Sequence, residues 1–187
     1  MSVAVIIPSL EPDQRFIDLL KTLEGKLSFE DVFVVNDGSS STYDKYFEMA
    51  GQMGCHVMRH SVNLGKGRAL KTAFNQVLQE KKKYIGVVIA DSDGQHTVND
   101  IVKCIQALET HPESLVLGCR NFYESHVPFK SRMGNVITRN VMKILCGIQI
   151  SDTQTGLRGI SRSFLEVLMN VAGERFEFET NMLLAAR

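Results

Sequence analysis

"YIGVVIADSDGQHT" spans residues 84–97, and the interpretation of the whole chain depends on it. Its first half is a run of β-branched and other apolar residues, which is typical of a buried strand in a parallel sheet. The run ends abruptly at two acids, Asp91 and Asp93. Neighbouring carboxylates repel each other, so we expect the end of this strand to meet a positive charge.

Short apolar runs alternate with helical patterns on both sides of this stretch. Thr97 and Asp100 have the spacing of a capping box, and Asp13 is a candidate cap for an earlier helix. Strand, helix and strand in this order imply parallel strands with right-handed crossovers, and therefore an α/β fold with a mostly parallel central sheet flanked by helices. Strands are predicted at 3–8, 31–36, 55–60, 84–90 and 114–120, and helices at 13–23, from 41, at 69–78, 97–108, 130–146 and 176–187.

Length and composition are those of one soluble globular domain. The chain has 187 residues, of which 44% are hydrophobic, and this suffices for one apolar core. Its 21 basic and 21 acidic residues balance, so no bulk attraction to nucleic acid is expected. The four scattered cysteines favour reduced thiols in the cytoplasm over a zinc site or a disulfide framework. No apolar run reaches the roughly 18 residues that a membrane-spanning helix needs.

Polar residues directly follow each of the five predicted strands. In an open parallel sheet the carboxyl ends of the strands lie along one edge, and ligands bind in the crevice beside it. We therefore expect five polar clusters to converge on one crevice. They are Ser9, Asn36–Asp37, the loop 60–67, Asp91–Asp93 and Arg120.

The acid pair is predicted to bind a divalent cation. Carboxylates suit hard cations such as Mg²⁺ or Mn²⁺, whose coordination is usually completed by phosphate oxygens of a substrate. The alternative is a simple turn, since the dipeptide Asp93–Gly94 favours one. The position of Asp91 and Asp93 after a buried strand, opposite Asp37, favours the metal site.

Each of two further motifs can be interpreted either as a ligand-binding site or as a purely structural feature. Asp37, in "VVNDGSS" (34–40), is interpreted as a carboxylate that accepts hydrogen bonds from a nucleobase, with a turn as the alternative. "NLGKGRALKTAF" (63–74) places two glycines and two cations at a helix start. Free backbone N–H groups there favour an anion, so Lys66 or Arg68 is a candidate phosphate contact, with a solvated helix start as the alternative. The spacing is not that of a P-loop.

Residues 130–146 are predicted to form a basic amphipathic helix, with Arg132, Arg139 and Lys143 on one side. Such helices bind anionic membrane surfaces, although a core-packing helix with a solvated side would have the same pattern. The five histidines are scattered along the chain and receive no predicted role.

Together these motifs carry a family resemblance. "VIIPSL" (5–10), "VVNDGSS", "NLGKGRALKTAF" and "VIADSDGQH" (88–96) resemble glycosyltransferase family 2, the inverting enzymes with a GT-A nucleotide-sugar-binding fold. "LGCRNF" (117–122), residues 130–147 and "SDTQTGLRGISRSFLEVL" (151–168) are similar to the dolichyl-phosphate mannose and glucose synthases within it. The resemblance covers nearly the whole chain.

The resemblance implies a set of site residues by position. One departure lies at Glu11–Pro12, where the family usually has an Asn-Glu pair. The implied nucleotide-binding residues are Pro8, Ser9, Glu11, Asp37, Asn63, Lys66, Asp91 and Ser92. Asp91, Asp93 and Gln95 are the implied ligands of Mg²⁺ or Mn²⁺, and Arg120, Arg132 and Arg158 the implied acceptor contacts. The implied catalytic residues are Asp91, Asp93, Asp152, Arg120 and Arg158.

The implied function is transfer of a sugar, with inversion, from a UDP- or GDP-sugar to a polyprenyl phosphate at the inner face of the membrane. The alternatives are transfer to a saccharide hydroxyl in cell-surface polysaccharide synthesis, with Asp152 as the general base, and a catalytically silent GT-A binding domain. A sugar nucleotidyltransferase is disfavoured, because the glycine-rich loop that it needs is absent after Pro8. No stop signal follows the helical pattern at 176–187, so residues 1–187 are expected to be one catalytic domain, truncated at its C-terminus.

Overall fold

The computed structural model describes residues 2–118 and 156–186. These two ranges form alternating strands and helices in one α/β unit. The strands are β1 (Ser2–Ser9), β2 (Val32–Asn36), β3 (His56–Arg59), β4 (Tyr84–Ile89), β5 (Leu115–Leu117) and β6 (Arg158–Ser161). The α-helices are α1 (Gln14–Leu23), α2 (Asp44–Gln52), α3 (Lys66–Gln79), α4 (Val98–Thr110), α5 (Arg162–Leu168) and α6 (Glu177–Ala185), with short 3₁₀ turns at Phe29–Asp31 and Ser41–Tyr43.

The described strands form one sheet in the order β3-β2-β1-β4-β6-β5. The pairs β1–β2, β1–β4 and β2–β3 are parallel, which confirms the predicted α/β fold with a mostly parallel sheet. β6 runs antiparallel to both of its neighbours, β4 and β5. The sequence analysis missed β6, and it therefore did not anticipate that β5 would be separated from β4.

Both predicted helix caps are confirmed. The Asp13 side chain accepts a hydrogen bond from the N–H of Arg15, and α1 begins at the next residue, Gln14. The Thr97 side chain accepts from the N–H of Asp100 at the start of α4. A side-chain oxygen at the cap satisfies one of the N–H groups that the first turn of a helix leaves unpaired. Local polar residues thus fix where both helices begin.

The core lies on both faces of the sheet, because successive side chains of a strand point to opposite faces. Val5 and Ile7 of β1 are buried in a cluster with α1, α2 and α4. Ala4 and Ile6 are buried in a second cluster with α3, α5 and α6. Every residue of β2 is buried, as expected for a central strand that is covered on both faces.

Backbone pairing continues beyond the ends of the central strands and gathers their last residues. The N–H of Asp37 donates to the carbonyl of Ser9 at 2.9 Å, and the N–H of His60 donates to that of Asn36 at 2.9 Å. On the other side of β1, the N–H of Ala90 donates to the carbonyl of Ile6 at 3.0 Å. The polar residues after β1, β2, β3 and β4 therefore meet at one edge of the sheet.

Among the described residues, Cys55 and Cys104 are buried free thiols. Burial raises the pKa of Cys55 to about 11 and that of Cys104 to about 12, because a thiolate is poorly solvated inside the protein. We expect neither thiol to react with iodoacetamide at pH 8 in the folded protein, and both to react after unfolding. Peptide mapping of the labelled sites measures this, and native labelling at either cysteine would contradict it.

Among the helices of residues 2–118 and 156–186, none has the length and hydropathy required to cross a membrane.

Candidate functional site

A crevice of about 310 Å³ opens at the carboxyl edge of the sheet. The predicted convergence of strand ends is confirmed for the described residues, while the role of each residue stays a prediction. The residues of the predicted site that line the crevice are Pro8, Ser9, Asp37, Asn63, Lys66, Asp91, Ser92 and Asp93. Arg175 and Phe176, which the sequence analysis did not name, line it as well.

Asp37 is buried, with 4% of its surface exposed, and it is firmly held. One carboxylate oxygen, Oδ1, accepts hydrogen bonds from Nδ1 of His60 at 2.7 Å and from the N–H of Leu64 at 3.0 Å. Oδ2 accepts from the N–H of Gly65 at 2.8 Å. A carboxylate offers about four lone-pair positions, so Asp37 can still accept a bond from a ligand in the crevice.

His60 connects Asp37 to α3. Its second ring nitrogen, Nε2, lies 2.9 Å from the hydroxyl oxygen of Thr72. Because an ionised carboxylate can only accept, Nδ1 of His60 carries the hydrogen of the bond to Asp37. In the neutral ring Nε2 then accepts from Thr72, and this chain of bonds fixes the orientation of the Asp37 carboxylate.

Asp91 already has a positive partner within the protein. The Nζ atom of Lys66 lies 2.7 Å from Oδ1 of Asp91 and 3.1 Å from Oε1 of Glu179 on α6. Nε2 of His96 lies 3.4 Å from Oδ2 of Asp91. Burial by itself would raise the pKa of Asp91, but the neighbouring His96 ring and the charge of Lys66 outweigh it and hold that pKa well below its usual range.

Burial and neighbouring charges also act in opposite directions on the pKa of Lys66. Burial would lower the pKa of its ammonium group, yet the carboxylates of Asp91 and Glu179 raise it above the ordinary value. The charged form of each partner therefore supports the other. The positive charge that the acid pair was expected to meet is, for Asp91, the ammonium of Lys66.

The partner of the Asp93 carboxylate among the described residues is Gln95. Its Oδ1 accepts from the N–H of Gln95 at 3.0 Å, and its Oδ2 accepts from the side-chain amide of Gln95 at 2.7 Å. Within residues 2–118 and 156–186 no three His, Cys, Asp or Glu side chains form a metal-binding group. Mg²⁺ is commonly held by one or two carboxylates together with substrate phosphates, and the oxygens of Asp93 and Gln95 fit such a partial set.

The glycine-rich loop before α3 also makes contacts within the protein that were not predicted from the sequence. The N–H groups of Leu64 and Gly65 are taken by the Asp37 carboxylate, and that of Arg68 donates to the carbonyl of Glu174 at 2.9 Å. The Arg68 guanidinium pairs with the Glu174 carboxylate and is not among the residues that line the crevice. Of the two candidate phosphate contacts, only Lys66 lies at the crevice.

Two other predicted residues lie away from the crevice lining. Arg158 is 1% exposed within β6, and its guanidinium donates to the carbonyl of Glu179 at 2.7 Å. This placement favours a role in holding Glu179 over the predicted direct contact with an acceptor. Glu11 has an exposed side chain and a φ of 49°, and its N–H donates to the hydroxyl of Ser39 at 2.8 Å. Its predicted contact with a nucleotide gains no support from this position.

The remaining predicted residues, Arg120, Arg132 and Asp152, lie outside the described residues, as does the predicted helix at 130–146.

The sequence analysis missed His60, His96 and Glu179, which hold Asp37, Asp91 and Lys66. His60 directly follows β3, and His96 lies in the same loop as the acid pair, so their positions after strands were a usable signal. Glu179 comes from a helix far along the chain. Only the tertiary fold brings it to Lys66.

The family of the chain is decided by its match to a known family model. Residues 5–169 match the model described as glycosyl transferase family 2. The chain belongs to glycosyl transferase family 2. This family 2 member is a glycosyltransferase with a GT-A fold, as the resemblance implied.

Two curated relatives extend over almost the whole of this family 2 chain. An uncharacterized protein of Methanocaldococcus jannaschii is 28% identical over 189 residues, which cover 99% of this chain and 75% of the relative. The UDP-N-acetylglucosamine–dolichyl-phosphate N-acetylglucosaminyltransferase of Methanococcus voltae is 28% identical over 207 residues, covering 99% and 80%. The name of the second is consistent with the polyprenyl-phosphate sugar transferase group.

Solved structures share the fold of this family 2 chain. Glucosyl-3-phosphoglycerate synthase from Mycobacterium tuberculosis, in complex with Mn²⁺, UDP-glucose and phosphoglyceric acid, superposes with a TM-score of 0.69 at 17% identity. The match covers 99% of this chain and 67% of that one. In eight of the solved structures that it matches, the chain spans from 51% to 67% of their length.

Replacing Lys66 by methionine should destabilise the protein by about 2 kcal/mol, because Asp91 and Glu179 lose their shared cation. A fully buried charge that is left unpaired costs roughly 3–5 kcal/mol, and these carboxylates are partly exposed. Chemical denaturation measures the difference. The control is Arg68→Met, which breaks a half-exposed ion pair and should cost less than about 1 kcal/mol. Equal losses in both variants would contradict the special position of Lys66.

Proposed function

We propose that this glycosyltransferase moves a sugar, with inversion at the anomeric carbon, from a nucleoside diphosphate sugar to a polyprenyl phosphate. The main support for this proposal is the crevice that Asp37, Lys66 and Asp93 line together. Such a donor needs a hydrogen-bond acceptor for its base and positive charge for its diphosphate. The Methanococcus voltae relative is named for UDP-N-acetylglucosamine and dolichyl phosphate, which supports a uridine donor and a lipid-phosphate acceptor.

In this proposal, different described residues bind different parts of the donor. Asp37 accepts hydrogen bonds from the base, and Lys66 supplies positive charge to the diphosphate. Asp93, with Gln95 beside it, would hold Mg²⁺ or Mn²⁺, since their oxygens suit a hard cation. The solved structure with Mn²⁺ and UDP-glucose supports a divalent metal in this fold.

Sugar transfer develops opposite charges at the two ends of the bond that breaks. As the sugar leaves the nucleotide, positive charge develops on the sugar and negative charge on the diphosphate. A divalent cation acts as a Lewis acid for that leaving group. Lys66 is fixed beside Asp91 and Glu179 before the donor binds, so its charge is already oriented when the reaction begins.

The proposed acceptor requires no general base. The second pKa of a phosphate monoester is about 6, so at neutral pH the acceptor is largely a dianion and a competent nucleophile. A hydroxyl acceptor would need a base. Asp91 and Glu179 are the carboxylates next to Lys66 among the described residues, and each is already engaged in an ion pair with the Lys66 ammonium. This arrangement supports a phosphate acceptor, and with it a reaction at the inner face of a membrane.

The test supplies the full-length protein with Mn²⁺, radiolabelled UDP-N-acetylglucosamine and either dolichyl phosphate or a free saccharide. The proposal predicts label in the lipid extract only, and release of free sugar from that product by mild acid. Parallel reactions with UDP-glucose and GDP-mannose identify the donor. Label that moves only to the saccharide, with activity abolished in Asp152→Asn, would replace the lipid phosphate by a hydroxyl acceptor.

A further inference from the structure

The segment 174–178 enters α6 and packs against the beginning of α3. The carbonyl of Glu174 accepts from the N–H of Arg68 at 2.9 Å, and its carboxylate lies 3.2 Å from Nζ of Lys71. The same Lys71 ammonium lies 5.1 Å from the centre of the Phe178 ring. Backbone, ion-pair and cation–π contacts thus hold the segment 174–178 in one place.

Two glycines of the loop before α3 make this close packing feasible. A Cβ atom on Gly65 would lie 2.5 Å from Cγ of Arg175 and 2.6 Å from the carbonyl oxygen of Glu174. A Cβ atom on Gly67 would lie 2.7 Å from Cβ of Phe178. All three distances are too short for real atoms, so the glycines leave the space that the segment 174–178 occupies.

This packing carries Arg175 and Phe176 to the wall of the crevice. Phe176 is 74% exposed, the largest fraction among the large apolar side chains of the described residues. The Arg175 guanidinium lies 3.5 Å from the side-chain oxygen of Asn63, which lines the crevice too. A flat apolar ring therefore lines the crevice while most of its surface stays open to solvent.

We infer that Phe176 and Arg175 form the outer wall of the nucleoside half of this crevice, with the Phe176 ring in contact with the base or the ribose. The inference rests on the proposed donor. Arg175 packs on Gly65, whose N–H holds Asp37, so the wall lies beside the residue proposed to select the base. An aromatic ring contacts the face of any base, while a carboxylate selects by its hydrogen bonds.

Binding of UMP without metal, and of UDP with Mn²⁺, tests this inference by calorimetry on the full-length protein. Phe176→Ala should weaken both nucleotides by a similar factor, about tenfold or more, because aromatic stacking on a base is lost. Phe176→Tyr, which keeps the ring, should bind both as wild type does. Leu184→Ala, an exposed apolar change in α6 and away from the crevice lining, is the matched control and should change neither.

Each outcome separates this inference from the proposed function. If the wild-type protein binds UDP and Phe176→Ala binds it with the same affinity, Phe176 does not contact the nucleoside. The proposed donor would be unaffected by that result. Loss of UDP binding without loss of UMP binding would assign the ring to the diphosphate and overturn the nucleoside contact. A wild-type protein that binds neither nucleotide would remove the proposed function itself.

A second variant tests the packing that positions the wall. Alanine is a better helix former than glycine by about 1 kcal/mol, so Gly67→Ala should favour α3 taken alone. In the folded protein its methyl group would displace the segment 174–178, so we expect UMP affinity to fall as it does in Phe176→Ala. In the double variant Phe176→Ala/Gly67→Ala the second change should then add little. Wild-type UMP affinity in Gly67→Ala would contradict the positioning role of the glycine.

Discussion

Sugar transfer should fall by about 10²- to 10³-fold or more in Asp93→Ala, while the fold stays intact. Loss of one group that stabilises a leaving anion typically costs this much in rate. Asp93 is partly exposed, and its described hydrogen bonds go only to Gln95, so its removal leaves no buried donor unpaired. Transfer of label from the nucleotide sugar in the presence of Mn²⁺ measures the effect.

The control for Asp93 is Asp100→Asn. Asp100 is an exposed acid at the start of α4, where it forms the capping pair with Thr97. Its replacement changes the same charge near the same loop and should leave transfer within a few-fold of wild type. Transfer at the wild-type rate in Asp93→Ala would contradict the metal site and favour the alternative, that the acid pair only forms a turn.

Asp37→Ala should lose nucleotide binding and also destabilise the protein by about 3 kcal/mol. The variant leaves the N–H groups of Leu64 and Gly65 and the ring of His60 without their acceptor. Each buried donor that loses its partner costs about 1–3 kcal/mol. The carboxylate thus has a structural role beside its predicted contact with a nucleobase. Chemical denaturation and calorimetry with UDP measure the two effects.

Thr72→Val separates the two roles of Asp37. It removes the hydrogen bond between Thr72 and His60 without touching the crevice lining, so it should destabilise the protein by about 1 kcal/mol and leave UDP affinity near wild type. If affinity falls in step with stability across both variants, Asp37 acts on the nucleotide only through the fold. Wild-type UDP affinity in a folded Asp37→Ala protein would contradict base recognition outright.

The sequence predicted the parts of this fold that depend on local pattern. The apolar runs that became β1, β2 and β4 and the caps at Asp13 and Thr97 need no distant partner to be recognised. The convergence of Asp37, Lys66 and the acid pair followed from one topological rule, that parallel strands end at the same edge.

The parts that were missed depend on distant contacts. β6 is four residues long, begins with an arginine and contains a glycine, so no periodic pattern marks it. It forms because Gly86 of β4 lets it approach closely: a Cβ atom there would lie 2.2 Å from the carbonyl oxygen of Ile160. The segment 174–178 is likewise fixed by α3, and only the folded chain relates Gly65 and Gly67 to Phe176.

In the proposed function, this crevice binds a nucleoside diphosphate with the help of a divalent cation. Calorimetric titration of the protein with UDP and with GDP, each in Mn²⁺ and again in excess EDTA, tests it most directly. We predict that UDP binds in Mn²⁺ and that its affinity falls at least about tenfold in EDTA and in Asp93→Ala with Mn²⁺. Tighter binding of GDP would change the donor base and keep the site. UDP binding of equal affinity in Mn²⁺ and EDTA, or binding of neither nucleotide, would contradict the claim.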